Sequence, residues 1–191
     1  MVYIVGIGGT LRKNSRSYRA LEIAMSVVQA EGAETEILSL YELDLPMFYL
    51  DKAENDYGEN VQRLLASLRR ADGVILSTGG YHGTMAGVTK NMLDYVEYMS
   101  ADKLPYLHQR AVGLIATAGG ALASVNTINT FVYTVHSLRG IVVPLSVPIP
   151  SASKAFKDGE LIDEAVHKKL QQMAHETVRL SRLLNPTTVE V

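Results

Sequence analysis

Three glycine-rich segments in this chain carry the residue types that bind anions and flat rings. The first is Gly6-Ile7-Gly8-Gly9-Thr10-Leu11-Arg12-Lys13-Asn14-Ser15-Arg16-Ser17, between an apolar run and a helical pattern. Glycines there let the backbone approach an anion, the hydroxyls of Thr10, Ser15 and Ser17 can donate to phosphate oxygens, and Arg12 can pair with the charge. The helix that follows offers free N–H groups and the positive end of its dipole. Together these suit a terminal phosphomonoester. The competing reading is a Ser-capped helix after a glycine turn, with Arg12 and Arg16 merely solvated. Two better-known phosphate motifs fail. Leu11 stands where the third glycine of G-x-G-x-x-G belongs, and Ile37-Leu38-Ser39 offers no acid for a ribose. The nucleoside-triphosphate loop GxxxxGK[ST] is also missing.

The second segment runs Ser77-Thr78-Gly79-Gly80-Tyr81-His82-Gly83-Thr84-Met85-Ala86-Gly87 and leads into Val88-Thr89-Lys90-Asn91-Met92-Leu93-Asp94. Read as a loop it has eleven residues with four glycines, long for a strand-to-helix connection. Its amides suit the edge of a flat heterocycle. The third, Thr117-Ala118-Gly119-Gly120-Ala121, is small enough for close backbone approach.

Positioning these segments requires strands that end together. Five aliphatic runs alternate with helix-period segments: Val2 to Ile7, Glu36 to Leu40, Gly73 to Leu76, Val112 to Ala116 and Ile141 to Val147. Runs this apolar suit strands covered on both faces. Helical stripes are Tyr18, Leu21, Met25, Val28; then Leu122, Val125, Ile128, Val132, Val135; then Val166, Leu170, Met173, Thr177, Leu180, Leu184. Gly32, Gly140 and Asn185-Pro186 mark helix ends. The alternation implies a doubly wound α/β fold, whose ligands lie beyond the carboxyl ends of the strands. One domain over 1–185, with a loose tail over 186–191, is expected. The segment from Ser151 onward is expected to add no chemistry.

Totals narrow the classes. At 191 residues the chain should bury roughly 70% of its unfolded surface. Acidic and basic residues nearly cancel, 20 against 18, and no basic block exists to follow a run of phosphates, so nucleic acid is not an expected partner. The absence of cysteine removes disulfides, iron–sulfur clusters and cysteine nucleophiles. No basic leader precedes the first strand, and no run of 18 apolar residues occurs. A cytoplasmic protein without membrane contact is expected.

The ordered segments resemble the NADPH-dependent FMN reductase family, which includes FMN-dependent quinone and azo-dye reductases. Its first pattern, G-S-L-R-x-x-S-x-N, is followed by Gly9-Thr10-Leu11-Arg12-Lys13-Asn14-Ser15-Arg16-Ser17. Its second, T-P-E-Y-N-x-S-x-P-G-x-L-K-N-x-L-D, is similar to Thr78 through Asp94, with Gly79-Gly80 in place of Pro-Glu and His82 in place of Asn. Asp44-Leu45-Pro46 is also similar, and the resemblance spans roughly residues 2–150. It implies a flavodoxin-like α/β fold: a doubly wound, five-stranded parallel sheet in the order 2-1-3-4-5 with helices on both faces. It also implies FMN as cofactor, NADPH or NADH as reductant, and a homodimer or homotetramer acting on a small-molecule electron acceptor. Thr10, Arg12, Ser15 and Ser17 would hold the FMN phosphate. Gly80, Tyr81, His82 and Gly83 would line the ring, with Thr117, Gly119 and Gly120 opposite.

Bland readings stand beside these. His82 is read either as a ring contact or as an exposed loop histidine. Lys90-Asn91 and Asp94 either order the second loop or pair at the surface, and Met47, Phe48 and Tyr49 either cover a site or form a subunit contact. Tyr106 and Tyr133 are expected to pack. His108, His136, His167 and His175 lack metal-ligand spacing. No catalytic side chain is singled out, because a flavin carries the chemistry and the protein places it. The rival from another class is a flavin-binding electron carrier, whose acidic docking face this near-neutral chain lacks. A phospho-accepting signalling domain is rejected, because Ile7-Gly8 and Ser77-Thr78 occupy the places its acids need.

Overall fold

In a computed structural model, described over residues 1–186, one mostly parallel sheet is covered on both faces by helices. Strands β1 (Tyr3–Gly9), β2 (Glu34–Ser39) and β3 (Gly73–Tyr81) alternate with helices α1 (Arg16–Ala30), α2 (Leu40–Leu43) and α3 (Glu59–Arg70). There follow β4 (Thr84–Met85), α4 (Gly87–Asp94), β5 (Ala111–Thr117), α5 (Ala121–Ser137), β6 (Ile141–Val142) and β7 (Val147–Ile149). The remainder forms α6 (Ala152–Ala155), the small ladder β8 (Phe156–Lys157) with β9 (Glu160–Leu161), and α7 (Glu164–Leu184). Of the expected loose tail, residues 187–191 lie outside the described residues.

The sheet order is β2-β1-β3-β5-β6, with β7 also pairing β5 and β4 pairing β3. This agrees with the expected doubly wound arrangement and corrects it in detail. The fifth strand is two pieces, because Val142 to Val147 takes five residue steps where β5 takes three, from Val112 to Ile115. Pro144 lies in that bulge, where a residue without an N–H loses nothing.

The apolar runs are strands because both faces are buried. Val5, Ile7, Val74 and Leu76 face the cluster with Leu64, Leu65 and Leu68 of α3, Met92 of α4 and Phe131 of α5. Ile4, Ile75 and Ile115 face Leu21, Met25, Leu170, Met173 and Val178 of α1 and α7. Arg110 is buried and donates to the carbonyls of Leu68 (3.0 Å), Arg69 (3.0 Å), Tyr106 (3.1 Å) and His108 (3.1 Å), tying the end of α3 to the start of β5.

Three expectations for α5 need correction. On α5, Leu122 (76% exposed) and Val125 (45%) face solvent, while Ser124 and Thr127 face inward. The start of α5 lies on β4, where Thr127 Oγ1 reaches Thr84 O at 3.2 Å. Tyr133, expected to pack, is 79% exposed. After α5 the left-handed residue is Arg139 (φ 63°) rather than Gly140; Gly140 is needed for space, since a Cβ there would lie 2.7 Å from Val135 Cγ1.

Candidate functional site

Register brings the three glycine segments together. Gly8 pairs with Ser77 and Gly9 with Thr78 across β1 and β3, while Thr78 pairs with Ala116 and Gly79 with Thr117 across β3 and β5. The carboxyl ends of the central strands therefore open side by side, where this fold class binds ligands. A cleft of roughly 380 Å³ lies there, within the usual range of small-molecule sites.

One end of the cleft is the first segment. Gly9 adopts φ 97°, which turns the chain out of β1. Ser15 caps α1, its Oγ accepting from Tyr18 N at 3.3 Å. Ser17 Oγ lies 3.2 Å from Ser15 Oγ, and the Ser17 carbonyl accepts from Ser77 Oγ at 2.8 Å. Thr10 Oγ1 accepts from Arg12 N at 3.2 Å. Arg12 and Arg16 line the cleft exposed, and neither forms an ion pair among the described residues. Arg19 also lines it, pairing with Glu22 at 2.8 Å while its Nε is buried without a partner. Three guanidinium groups, hydroxyls and a helix N-terminus thus meet one acid of the lining, Asp158.

The second segment departs from a loop. Strand β3 continues through Tyr81, turns at His82-Gly83 and returns as β4, pairing Gly80 with Met85 and Tyr81 with Thr84. His82 (φ 51°) and Gly83 (φ 80°) both lie in the left-handed region, the signature of a two-residue hairpin turn. Thr78 Oγ1 holds the hairpin base, accepting from Ala86 N at 3.2 Å and lying 2.8 Å from Thr89 Oγ1.

Of the residues singled out from sequence, Thr10, Arg12, Ser15, Ser17, Gly80, Tyr81, Thr117 and Gly119 line the cleft together. His82, Gly83 and Gly120 do not: the first two form the hairpin tip and Gly120 caps α5. Asn91 is buried and holds a different segment, donating to Pro46 O at 2.8 Å and accepting from Phe48 N at 2.9 Å. Phe48 packs edge-on against Tyr95 and Tyr98, leaving Met47, Tyr49 and Leu50 exposed. Lys90 and Asp94 form a surface pair.

Other lining residues lay in those segments without an assigned role, Asn14, Arg16, Gly79 and Ala118, or went unrecognised, Arg19, Ala152, Ser153, Phe156, Asp158 and Gly159. The last five show that the segment after Ser151, expected to add no chemistry, reaches the cleft wall. Pairing of Thr117 with Ile149, together with the bond from Ala152 N to Ala118 O (3.0 Å), brings them to the cleft. The Asp158-Gly159 pair was a readable hairpin-turn signal, but its partner surface was not.

Fold and site define a flavodoxin-like α/β protein. The structure superposes on a flavodoxin from the domain Archaea with TM-score 0.65 and 7% identity, covering 95% of this chain and 99% of that one. FerB, an NAD(P)H:(acceptor) oxidoreductase from Paracoccus denitrificans, superposes with TM-score 0.73 and 19% identity over 96% and 98%. Within that class the chain belongs to the NADPH-dependent FMN reductase family, whose model matches residues 2–154. Its relatives include an NADPH azoreductase of Bacillus sp. (strain OY1-2), 28% identical over 92% of this chain and 88% of that protein. An NAD(P)H-dependent FMN reductase of Pseudomonas aeruginosa is 30% identical over 90% of each. The chain is accordingly an oxidoreductase with FMN and NAD(P)H as cofactors.

Proposed function

We propose that this protein oxidises NAD(P)H through FMN and passes the electrons to a small acceptor such as free flavin or a quinone. One observation carries the reading: a single cleft has hydroxyls, three guanidinium groups and a helix N-terminus at one end and the small-residue ends of the central strands at the other. Thr10, Arg12, Ser15 and Ser17 would hold the phosphate; Gly80, Tyr81, Thr117 and Gly119 would border the ring, with His82, Gly83 and Gly120 at its outer rim. The residues fit the group, since the hydroxyls and the unpaired Arg12 match an anion, and Gly79, Gly80 and Gly119 line the same cleft with backbone rather than side chains.

FMN, when bound, supplies the hydride and electron chemistry. The chain's own part is placement. Arg12 offsets the phosphate charge, the end of α1 directs N–H groups toward it, and the backbone of 79–81 offers hydrogen bonds to the ring. Apolar side chains of the strands behind exclude water from one side.

In the same reading the chain acts as one domain over 1–185, in the cytoplasm, as a homodimer or homotetramer. The exposed apolar side chains Met47, Tyr49 and Leu50, and Leu122, Val125 and Tyr133 on α5, support assembly.

The test is a visible spectrum of the purified protein with FMN, followed by anaerobic NADPH. A bound-flavin band that bleaches on adding NADPH is the expected result. A bound flavin that stays oxidised with both NADPH and NADH would make the protein a carrier, and no binding would overturn the proposal.

A further inference from the structure

The cleft's ring end is built around two missing side chains, and other residues occupy the space they leave. Along β3, successive side chains point to opposite faces, so Gly79 and Tyr81 share the cleft side while Gly80 looks toward α5. A Cβ at position 79 would lie 3.2 Å from Thr10 Cγ2 and 3.3 Å from Tyr81 Cε2. The Tyr81 ring is thus folded back along its own strand toward the phosphate loop, lining the cleft while 56% exposed. A Cβ at position 80 would lie 2.5 Å from Thr127 Oγ1, 3.4 Å from Thr127 Cβ and 3.3 Å from Ala118 Cβ. Thr127 is fully buried, and its hydroxyl has two acceptors within reach, Ala123 O on its own helix (2.7 Å) and Thr84 O on β4 (3.2 Å). A helical threonine satisfied by its own helix has no need of a second element. Here the hydroxyl also bridges to the hairpin that carries Gly80.

We propose that Thr127 is a positioning residue for the ring-binding hairpin, and that Gly79 and Gly80 form a specificity-determining pair. Gly80 lets Thr127 lock the hairpin against α5. Gly79 lets the Tyr81 phenol lie along the cleft, between the phosphate loop and the ring. The ring edge is then recognised by a fixed backbone and one aromatic side chain rather than by side chains at 79 and 80. This rests on FMN occupying the cleft, and the test separates the two ideas.

The experiment is a double-mutant cycle on the full chain, reading FMN affinity by fluorescence titration and folding by thermal unfolding. Gly80→Ala should weaken FMN binding roughly tenfold or more, as overpacking against a buried group does. Adding Thr127→Ala should restore affinity to within about threefold of wild type, because the 2.5 Å approach to Oγ1 goes and what remains, Ala118 Cβ at 3.3 Å and Thr127 Cβ at 3.4 Å, asks for a shift of only a few tenths of an ångström. Adding Thr127→Val, which keeps the bulk and removes the hydrogen bond, should leave binding weak. If Gly80→Ala alone fails to fold, recovery of folding by Thr127→Ala is the same result. Gly79→Ala should push the phenol aside and raise the fluorescence of bound FMN, as should Tyr81→Leu; no change in either removes Tyr81 from the proposal. A cycle that is additive in both readouts overturns it. If wild type binds no FMN, the functional reading falls, while the Gly80–Thr127 coupling is still decided by the thermal midpoints.

Discussion

Under the proposed binding of FMN, the two segments that meet over the cleft work in opposite ways. The first loop acts through groups it has: hydroxyls at Thr10, Ser15 and Ser17 and the unpaired guanidinium of Arg12. The hairpin acts through groups it lacks, since Gly79 and Gly80 leave space that Tyr81 and Thr127 fill. Charge recognition needs donors aimed at the anion, whereas a flat ring edge needs a backbone that cannot shift. Substitutions should therefore fail differently, by losing an interaction in the loop and by adding a clash at the hairpin.

The strand beneath both regions gives the largest effect. A Cβ at Gly8 would lie 2.4 Å from the Ser77 carbonyl oxygen, which is backbone in the neighbouring strand and has no rotamer to change. Gly8→Ala should destabilise the fold by about 3 kcal/mol, the upper range for overpacking, as a lowered midpoint in urea. A midpoint equal to wild type would mean that β1 and β3 can separate, and the rigid half of the contrast would go.

Next comes the loop's charge. Arg12→Ala should weaken FMN binding by about 1.5–3 kcal/mol, the worth of a hydrogen bond to a charged group. Because Arg12 is exposed and unpaired among the described residues, its thermal midpoint should not move. Unchanged affinity would pass the phosphate to Arg16 or Arg19, which line the same cleft. Ser15→Ala should act on folding as well as binding. Loss of the bond that Ser15 Oγ accepts from Tyr18 N costs about 1 kcal/mol of stability at a helix N-cap. A variant that loses FMN affinity with no loss of stability would show that α1 is capped by something else.

The same contrast explains what could be read from sequence. Thr10, Arg12, Ser15 and Ser17 lie close in sequence and carry their chemistry in their side chains, so they could be singled out as a candidate phosphate cradle, and the structure brings them to one cleft. The doubly wound class followed from apolar runs alternating with helices and the strand order from the family resemblance, apart from the bulge at Pro144, which depends on register with β5. The hairpin was misread as a loop because glycines favour both, and only the pairing of Gly80 with Met85 decides between them. The inward face of α5 was misassigned for a related reason: Leu122 and Val125 fit a helical stripe, but that turn packs on the hairpin through Ser124 and Thr127. Asp158 and Gly159 reach the cleft through pairing of β7 with β5, a contact between distant residues that no local pattern encodes.

The smallest expected effect is at His82, and it sharpens the contrast most. Its side chain was a candidate ring contact, yet it sits at the hairpin tip outside the cleft lining, with φ 51°. A turn with both central residues in the left-handed region favours Asn before Gly, so backbone conformation rather than imidazole chemistry is the requirement at this position. His82→Asn should keep FMN affinity within about twofold and change stability by no more than about 0.5 kcal/mol, as read by titration and thermal unfolding. Replacement by Val, whose branched Cβ resists positive φ, should cost more stability than Asn at an equally exposed site. If His82→Asn instead lost tenfold in FMN affinity, the imidazole would be touching the ligand. The hairpin would then bind by side chains as the loop does, and the division between the two regions would collapse.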